Sequence, residues 1–461
     1  HLCDRRQRQM CIRDRYCTMA FDTGFCAKKY RRVMIMENII SMRQVAPGVR
    51  LCAAPTQRFK TAKISVNMAL PLKKETASVY AVLVYFLHRS CRKYPDMTKL
   101  SSRLAYLYGA TISASVTKIG EAQVLRLSLT AIDDRFSLTD ESITENCMDL
   151  LLDMIFEPNI VDGSFLPHDV GQEKRLMLEK IESELNDKRS YAKQRCEEIM
   201  CENEAYGINR LGTAEDVASI TPDSLYEAWQ NLLKKAVVQI NVVGTADADK
   251  ISAGISRRLE DVDRSEAVLP PTEIVRSAEK VREVTEQMPI NQGKLVMGMR
   301  VDYDPQKRAA FSIMCDVFGG GPYSRLFTNV REKMSLCYYC SARLNSDKGI
   351  ILIQSGIETE NKEKALSAIK EQFEIVKNNQ FEDDELEASK KACADALDGF
   401  GDTPEDYDYW CMNQMLREKI LTPGDLAAQI REVTREDVVN CANKVTLDTV
   451  YMLEGTGEAE E

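Results

Sequence analysis

Residues 318–327 read FGGGPYSRLF, and the chain continues as VREK at 330–333 and LCY at 336–338. The glycine triplet gives the backbone the freedom that a tight turn requires, and a helical pattern follows it. The stretch lacks the Lys-Ser/Thr pair that a phosphate-binding P-loop needs. It therefore predicts a flexible turn before a helix rather than a nucleotide site.

Two side chains of this stretch, Arg331 and Tyr338, stand seven residues apart and can both donate hydrogen bonds. An arginine fork beside a phenol suits the carbonyl oxygens of an extended peptide. Judged by the residues alone, a surface salt bridge for Arg331 and a core position for Tyr338 are the more common outcome. The spacing by itself therefore leaves both interpretations open.

The same stretch contains a C-x-x-C motif, CYYC at 337–340. A redox or zinc function needs a thioredoxin-like context or a second cysteine pair, and the sequence shows neither. Residues 336–343 are predicted to form a β-strand, in which cysteines three apart point to opposite faces. The pattern therefore favours chance occurrence.

The first long helical pattern contains VYFLHR at 84–89, which puts Tyr85, His88 and Arg89 on one helix face. The chain has 3 histidines, at positions 1, 88 and 168, so no helix can carry the paired histidines of a zinc protease. A guanidinium stays charged and has no lone pair to donate. At ~4 Å and an effective dielectric constant of ~20, it would repel Zn²⁺ by roughly 8 kcal/mol. This face therefore predicts a polar patch or a cation-filled pocket, with no metal.

Periodicity divides the chain into a first αβ domain at 36–260, a linker at 261–292 and a second αβ domain at 293–457. Residues 1–33 include RQRQMCIRDR at 6–15, which has no apolar period, and are predicted to be a non-native or disordered extension. Strands are predicted at 61–70, 123–130 and 236–244, and helices at 78–93, 99–108, 147–156, 170–203 and 247–259.

The two αβ domains resemble one unit used twice. SRL at 102–104 recurs at 324–326, and MIFEPN at 154–159 is echoed by EIVKNN at 374–379. ITPD at 220–223 and VTRE at 433–436 each precede a helix and then a strand. Three matches in the same order, at similar offsets, favour a duplication.

Composition excludes several classes of protein. The chain has 461 residues, 44% of them hydrophobic and 29% charged, which fits two or three globular domains. A net charge of −10 argues against nucleic-acid binding, and the longest apolar run, around 79–87, is too short for a bilayer. An odd, scattered set of 15 cysteines indicates a reduced, cytoplasmic protein.

The sequence resembles the insulinase/pitrilysin-type peptidase family, in which H-x-x-E-H binds zinc on a helix. The glycine-rich loop, the SRLF that follows it and the VRE continuation match the second half of that family, with Ser335 in place of its usual glycine. In the first half, Tyr85, His88 and Arg89 replace the three residues of the zinc motif. Lys180 stands seven residues after Glu173, where the family has a second glutamate.

The resemblance implies an α+β fold with two homologous domains, each a mostly antiparallel sheet with helices packed on one face, forming a clamshell chamber. It implies a non-catalytic member without zinc or another cofactor, in which Arg331 and Tyr338 bind the substrate backbone. Within the family, the chain is similar to bacterial members associated with 5-aminopentanol modification of elongation factor P.

The partners expected from the resemblance are a zinc-bearing paralogue in a heterodimer, or a second copy in a homodimer, together with an extended peptide or protein substrate. No nucleic-acid or membrane partner is expected. Two other classes of function stay open. A purely structural scaffold would tolerate loss of both Arg331 and Tyr338. An autonomous hydrolase would cleave peptides without any partner.

Overall fold

Two β-sheets, each drawn from one half of the chain, dominate the computed structural model, which describes residues 40–456. The predicted extension at 1–33 lies outside the described residues. The strands are β1 (Ser41–Ala46), β2 (Val49–Pro55), β3 (Thr61–Pro71), β4 (Thr111–Ile119), β5 (Ala122–Ile132), β6 (Ile160–Val161), β7 (Ser164–Phe165), β8 (Val237–Gly244), β9 (Arg282–Met288), β10 (Gly293–Val301), β11 (Tyr339–Asn345), β12 (Ile350–Ile357) and β13 (Val445–Gly455).

Helices connect and cover these strands. The α-helices are α1 (Lys74–Leu87), α2 (Met97–Tyr106), α3 (Ile143–Phe156), α4 (Pro167–Asn186), α5 (Lys188–Met200), α6 (Ala214–Ser219), α7 (Pro222–Lys235), α8 (Ala248–Leu259), α9 (Arg308–Gly319), α10 (Lys362–Lys377), α11 (Asp383–Asp398), α12 (Pro404–Met412), α13 (Pro423–Arg431) and α14 (Arg435–Ala442). A π-helix at Leu326–Lys333 lies between α9 and β11.

The two sheets have the same strand order. The first runs β1-β2-β8-β3-β5-β4 and the second β11-β12-β10-β13-β9, so five strands correspond one to one when the second order is reversed. Each sheet has one parallel pair, β2 with β8 and β9 with β13, and its other neighbours are antiparallel. Thr221 and Thr434 both begin a helix with a capping box, which agrees with the third sequence match. The shared topology supports the predicted duplication and confirms the mostly antiparallel α+β fold.

Each sheet packs its apolar face on helices of its own half. In β3, Ile64, Val66 and Met68 enter the first hydrophobic core, and the intervening Ser65 and Asn67 point to the opposite face. The alternation at 61–70 predicts a half-buried strand, yet Ser65 and Asn67 are fully buried as well. Something must therefore cover the polar face of this sheet.

The cover comes from the other half of the chain. Helix α12, from the second half, packs on β3 and β8, where Asn241 donates to the Asp408 carboxylate at 2.8 Å. Helix α5, from the first half, packs on β10 and β13, where Ala192 and Cys196 join an apolar cluster with Tyr451. Helices of its own half cover one face of each sheet, as predicted, and an exchanged helix covers the other face.

Three element boundaries differ from the sequence prediction. The helix predicted at 170–203 is broken at Asp187, whose carboxylate accepts the N–H groups of Arg189 and Ser190 and so begins α5. The first helix ends at Leu87 rather than at residue 93. Strand β9 lies inside the predicted linker at 261–292. It is an edge strand whose partly buried face includes the charged Arg282 and Glu286, so its sequence shows no apolar alternation. Within residues 40–456, no helix is long and apolar enough to cross a membrane.

Candidate functional site

Helices α1 and α4 place the predicted degenerate motif around one cavity of about 600 Å³. We call this cavity the Arg89 pocket. All four predicted positions, Tyr85, His88, Arg89 and Lys180, line it together with Glu173. Its other lining residues are Met97, Leu176, Met177 and Glu179. The four positions that the resemblance singled out therefore lie in one cavity, although they come from two parts of the chain that are far apart in sequence.

An ion pair fills the polar end of the Arg89 pocket. The Arg89 guanidinium binds the Glu173 carboxylate through one nitrogen and donates to Gln172 Oε1 at 2.9 Å through another. Glu173 is only 5% exposed, and burial raises the pKa of its carboxyl group although the hydrogen bond from Arg89 opposes that shift. The carboxylate that could have bound a metal is thus neutralised by a fixed cation.

The remaining positions of the pocket do not provide a zinc site. The Lys180 ammonium lies over the Tyr85 ring, 5.5 Å from its centroid, in a cation–π contact. His88 is the single imidazole in the pocket, and burial lowers its pKa, with the neighbouring Arg89 charge acting in the same direction. Zinc sites need at least three protein ligands. No group of three or more His, Cys, Asp or Glu side chains that could hold a metal occurs in the described part of the chain. The residues present do not fit zinc.

The glycine triplet of the second half is required by close packing. A Cβ atom at Gly319 would lie 2.7 Å from the backbone nitrogen of Ala342, and one at Gly320 would lie 1.9 Å from an oxygen of Asp316. The same Asp316 carboxylate accepts a hydrogen bond from Tyr323 at 2.9 Å. The triplet therefore packs the end of α9 closely against β11 and the start of the π-helix, where the sequence predicted a flexible turn.

The π-helix carries Arg331 on an open surface. Its guanidinium stacks on the Phe327 ring at 4.4 Å and lies 3.6 Å from the Glu332 carboxylate, with 38% of the side chain exposed. Long π-helices are rare and occur often at functional sites, because the wider turn re-aims side chains. Arg331 is thus positioned by an aromatic ring and keeps donors available to a ligand.

Tyr338 is also exposed, at 59%, so the core position that is common for a tyrosine is not what the structure shows. Its hydroxyl donates to Glu358 Oε1 at 2.5 Å, and this contact raises the pKa of Tyr338. Glu358 follows β12 directly and was not found from sequence, since no local pattern links it to Tyr338. Between the two candidate residues, Ser335 has φ of +53°, a conformation that favours the glycine found there in the family.

The chain is similar to known proteins over most of its length. The family model "Peptidase M16 inactive domain" matches residues 219–393. The "Probable inactive metalloprotease YmfF" of Bacillus subtilis is 31% identical over 425 residues, covering 91% of this chain and 99% of the relative.

Solved structures show the same fold. A conserved protein from Enterococcus faecalis superposes with a TM-score of 0.81 at 27% identity, covering 91% of this chain and all of the other. A peptidase M16 inactive domain from Pseudomonas fluorescens superposes with a TM-score of 0.73 at 18% identity, covering 92% of this chain. These likenesses span both sheets, so they concern the whole described fold.

Proposed function

We propose, from the premise that this chain belongs to the peptidase M16 family as an inactive homologue, that it is the substrate-binding subunit of a two-subunit zinc peptidase-like complex. The observation that carries the proposal is a contrast between two sites. In the Arg89 pocket, Arg89 and Lys180 occupy the positions where metal ligands would stand. Arg331 on the π-helix and Tyr338 just after it are instead exposed to solvent, although the Tyr338 hydroxyl donates to Glu358.

In the proposed complex, one subunit activates water and the other binds the peptide. A separately encoded paralogue with an intact H-x-x-E-H motif holds the zinc that activates water. This chain holds an extended peptide: Arg331 donates to backbone carbonyl oxygens, and the Tyr338 hydroxyl exchanges Glu358 for a peptide carbonyl. The exposed edge strand β11 begins next to Tyr338 and can add backbone hydrogen bonds to the peptide.

Reconstitution with a zinc-bearing paralogue tests this role. Arg331→Ala should lower kcat/KM for peptide cleavage by about 10- to 100-fold, since a hydrogen bond from a charged donor contributes roughly 1.5–3 kcal/mol. Tyr338→Phe removes only the hydroxyl and should have a smaller effect in the same direction. The variant chains should unfold at the same temperature as the parent, because both side chains are on the surface.

The matched controls are Arg257→Ala and Tyr106→Phe, which change an exposed arginine and an exposed tyrosine of the first half. Both should retain full activity. Undiminished activity of the Arg331→Ala complex would instead support a purely structural scaffold. Peptide binding by a homodimer of this chain, without cleavage, would keep the binding role but remove the zinc-bearing partner from the proposal.

We also propose that this complex is linked to the 5-aminopentanol modification of elongation factor P, which the sequence resemblance supports. In a strain without this chain, the intact mass of elongation factor P should lack the aminopentanol group. Restoring the parent chain should restore that mass, and the Arg331→Ala chain should restore it less well. An unchanged mass in the deletion strain would contradict this link. The peptide-binding role would still be tested by the reconstitution experiment.

A further inference from the structure

The face of the second sheet that α5 covers carries two cations where that helix begins. One row of residues crosses three neighbouring strands there, with Tyr339 in β11, Gly356 in β12 and Lys294 in β10. Directly opposed residues share a face of a sheet, so Tyr339 and Lys294 lie on one face with their Cα atoms about 10 Å apart, two strand spacings. Helix α5 adds Arg189, whose guanidinium lies 4.3 Å from the centroid of the Tyr339 ring.

The glycine in the middle of this row brings the groups on either side of it together. A Cβ atom at Gly356 would lie 2.4 Å from a ring carbon of Tyr339 and 2.9 Å from Gln292 Oε1, so the ring and the amide both lie over this glycine. The Lys294 ammonium donates to the same Gln292 oxygen at 2.5 Å. The Tyr339 ring positions Arg189 and the Gln292 amide positions Lys294, so both cations are held around one spot on the sheet.

Both cations donate to neutral amides. Lys294 binds Gln292, and the Arg189 guanidinium donates to Gln354 Oε1 at 3.0 Å. Within the part of the chain that the structure describes, neither side chain forms an ion pair. Both are accessible to a ligand, since Arg189 is exposed and Lys294 is partly exposed. In a chain with a net charge of −10, two cations held together without a carboxylate form a local exception.

The carboxylate of Asp187 lies beside this pair in the chain but is engaged elsewhere. It begins α5, where it accepts the backbone N–H groups of Arg189 and Ser190 and, at 2.6 Å, the Ser190 hydroxyl. Burial lowers the pKa of Lys294, and the charge of Arg189 acts in the same direction. The two like charges therefore repel each other, and an anion bound between them would relieve that repulsion.

We propose that Arg189 and Lys294 together bind a carboxylate of an extended peptide, so that acidic peptides are the preferred ligands of this chain. A planar guanidinium matches the two oxygens of a carboxylate, and an ammonium adds a further donor. The proposal rests on the proposed function, because the same peptide would lie against Tyr338, whose backbone N–H donates to the Gly356 carbonyl at 2.8 Å. The carboxylate can belong to an acidic side chain or to the C-terminus of the peptide.

Fluorescence anisotropy with the isolated full-length chain tests this preference. The probes are labelled peptides of about ten residues, made of alanine, serine and threonine, with an amidated C-terminus and one glutamate that is moved from position to position. A matched set carries glutamine. At one position or more, the glutamate peptide should bind about tenfold more tightly than its glutamine counterpart, as two partly screened ion pairs predict. The ratio should fall as NaCl is raised. If the C-terminus is the carboxylate bound, glutamine peptides with a free C-terminus should show the gain instead.

Variants assign the preference to the two cations. Arg189→Gln and Lys294→Gln should each lower the ratio of affinities for the acidic and neutral peptides by about threefold, since each removes one of two ion pairs. Arg189→Glu should bind a lysine peptide more tightly than the glutamate peptide, a reversal that a merely structural role would not produce. Arg257→Gln and Lys364→Gln change exposed cations elsewhere and should keep the parent ratio. Thermal unfolding of each variant checks that it is folded.

Equal affinity of the parent chain for acidic and neutral peptides would overturn this proposal and leave the proposed function standing. That comparison needs no variant to fold. A preference for glutamate that persists unchanged in both Arg189→Gln and Lys294→Gln would overturn it as well. Absence of binding by every peptide would overturn both proposals together. Arg331→Ala separates them, because it should weaken the binding of acidic and neutral peptides by the same factor and leave their ratio unchanged.

Discussion

Arg89 decides what the cavity between α1 and α4 can bind. Its guanidinium pairs with the buried Glu173 carboxylate and with Gln172, so the anion in the pocket already has its cation. Removing one member of a buried pair leaves an uncompensated charge, whereas removing both can be neutral. The ion pair therefore neutralises the carboxylate that a metal ion would need. It also stabilises the contact between the two helices.

A double-mutant cycle measures this contribution. Arg89→Met should lower the free energy of unfolding by about 1–3 kcal/mol, less than for a fully buried pair because solvent reaches the arginine. Adding Glu173→Gln should recover part of that loss, since the unpaired carboxylate disappears. Urea denaturation of the four proteins gives the coupling energy. Equal stability of the parent and Arg89→Met would contradict the assigned role of the pair.

For single residues, the sequence could predict which side chains lie near one another but not which groups they hydrogen-bond to. Helical spacing and the family resemblance identified Tyr85, His88, Arg89 and Lys180 as neighbours, and the structure places them in one pocket. Gln172 was missed because its contact with Arg89 depends on how α4 packs on α1. The strand predicted at 336–343 begins instead at Tyr339, so Cys337 lies before it.

At the scale of secondary-structure elements, the exchanged helices α5 and α12 join the two halves through carboxylates. Glu286 binds Arg195 of α5 at 2.8 Å, and the hydrogen bond from Arg195 is the main cause that lowers the pKa of Glu286. Glu405 of α12 binds Lys63 and Arg126 of the first sheet, and these bonds lower its pKa against the opposing effect of burial.

A third carboxylate acts in the same way. Glu204, just after α5, binds Arg300 of β10 and the fully buried Lys348 at 2.6 Å each. Burial alone would raise the pKa of Glu204, but the hydrogen bonds from these two cations outweigh it and lower the pKa. The ion pairs of all three carboxylates cross between the halves, so the attachment of α5 and α12 depends on ionised carboxylates.

Acid should therefore loosen the exchanged helices first. A folded-state pKa below the unfolded value, about 4.3 for Glu, gives stability that is fully present above pH 4.3 and is lost as the pH falls through the folded-state pKa. Hydrogen exchange, corrected for intrinsic rates, should show protection of α5 falling by about tenfold for each pKa unit of this shift. In Glu286→Gln, the protection of α5 should fall less steeply as the pH is lowered.

Helix α1 is the internal control, because it is almost wholly buried in the core of its own half. Its protection should persist at pH values where α5 has become exposed. Simultaneous loss of protection in α1 and α5 would mean that the halves unfold as one unit and that the crossing carboxylates have no separate role. The exchange could not be predicted from sequence, because the break at Asp187 lies inside an unbroken helical period.

At the scale of the whole molecule, one sheet topology occurs twice, and a different candidate site lies on each copy. The first copy holds the Arg89 pocket beside α1, and the second holds Arg331 and Tyr338 beside β11. The sequence predicted the duplication because short motifs recur in the same order in the two halves, and the family resemblance predicted the two candidate sites. Such motifs could not predict that a helix of each half covers the sheet of the other half. This arrangement depends on contacts between residues hundreds of positions apart.

The zinc content of the isolated chain shows whether the Arg89 pocket can hold a metal ion. The purified chain is equilibrated with a small excess of zinc, dialysed against metal-free buffer and measured by inductively coupled plasma mass spectrometry. The cations in the Arg89 pocket predict background zinc and no peptide cleavage by the chain alone. One zinc ion per chain that is lost in Glu173→Gln, together with peptide turnover in the absence of a partner, would contradict the account.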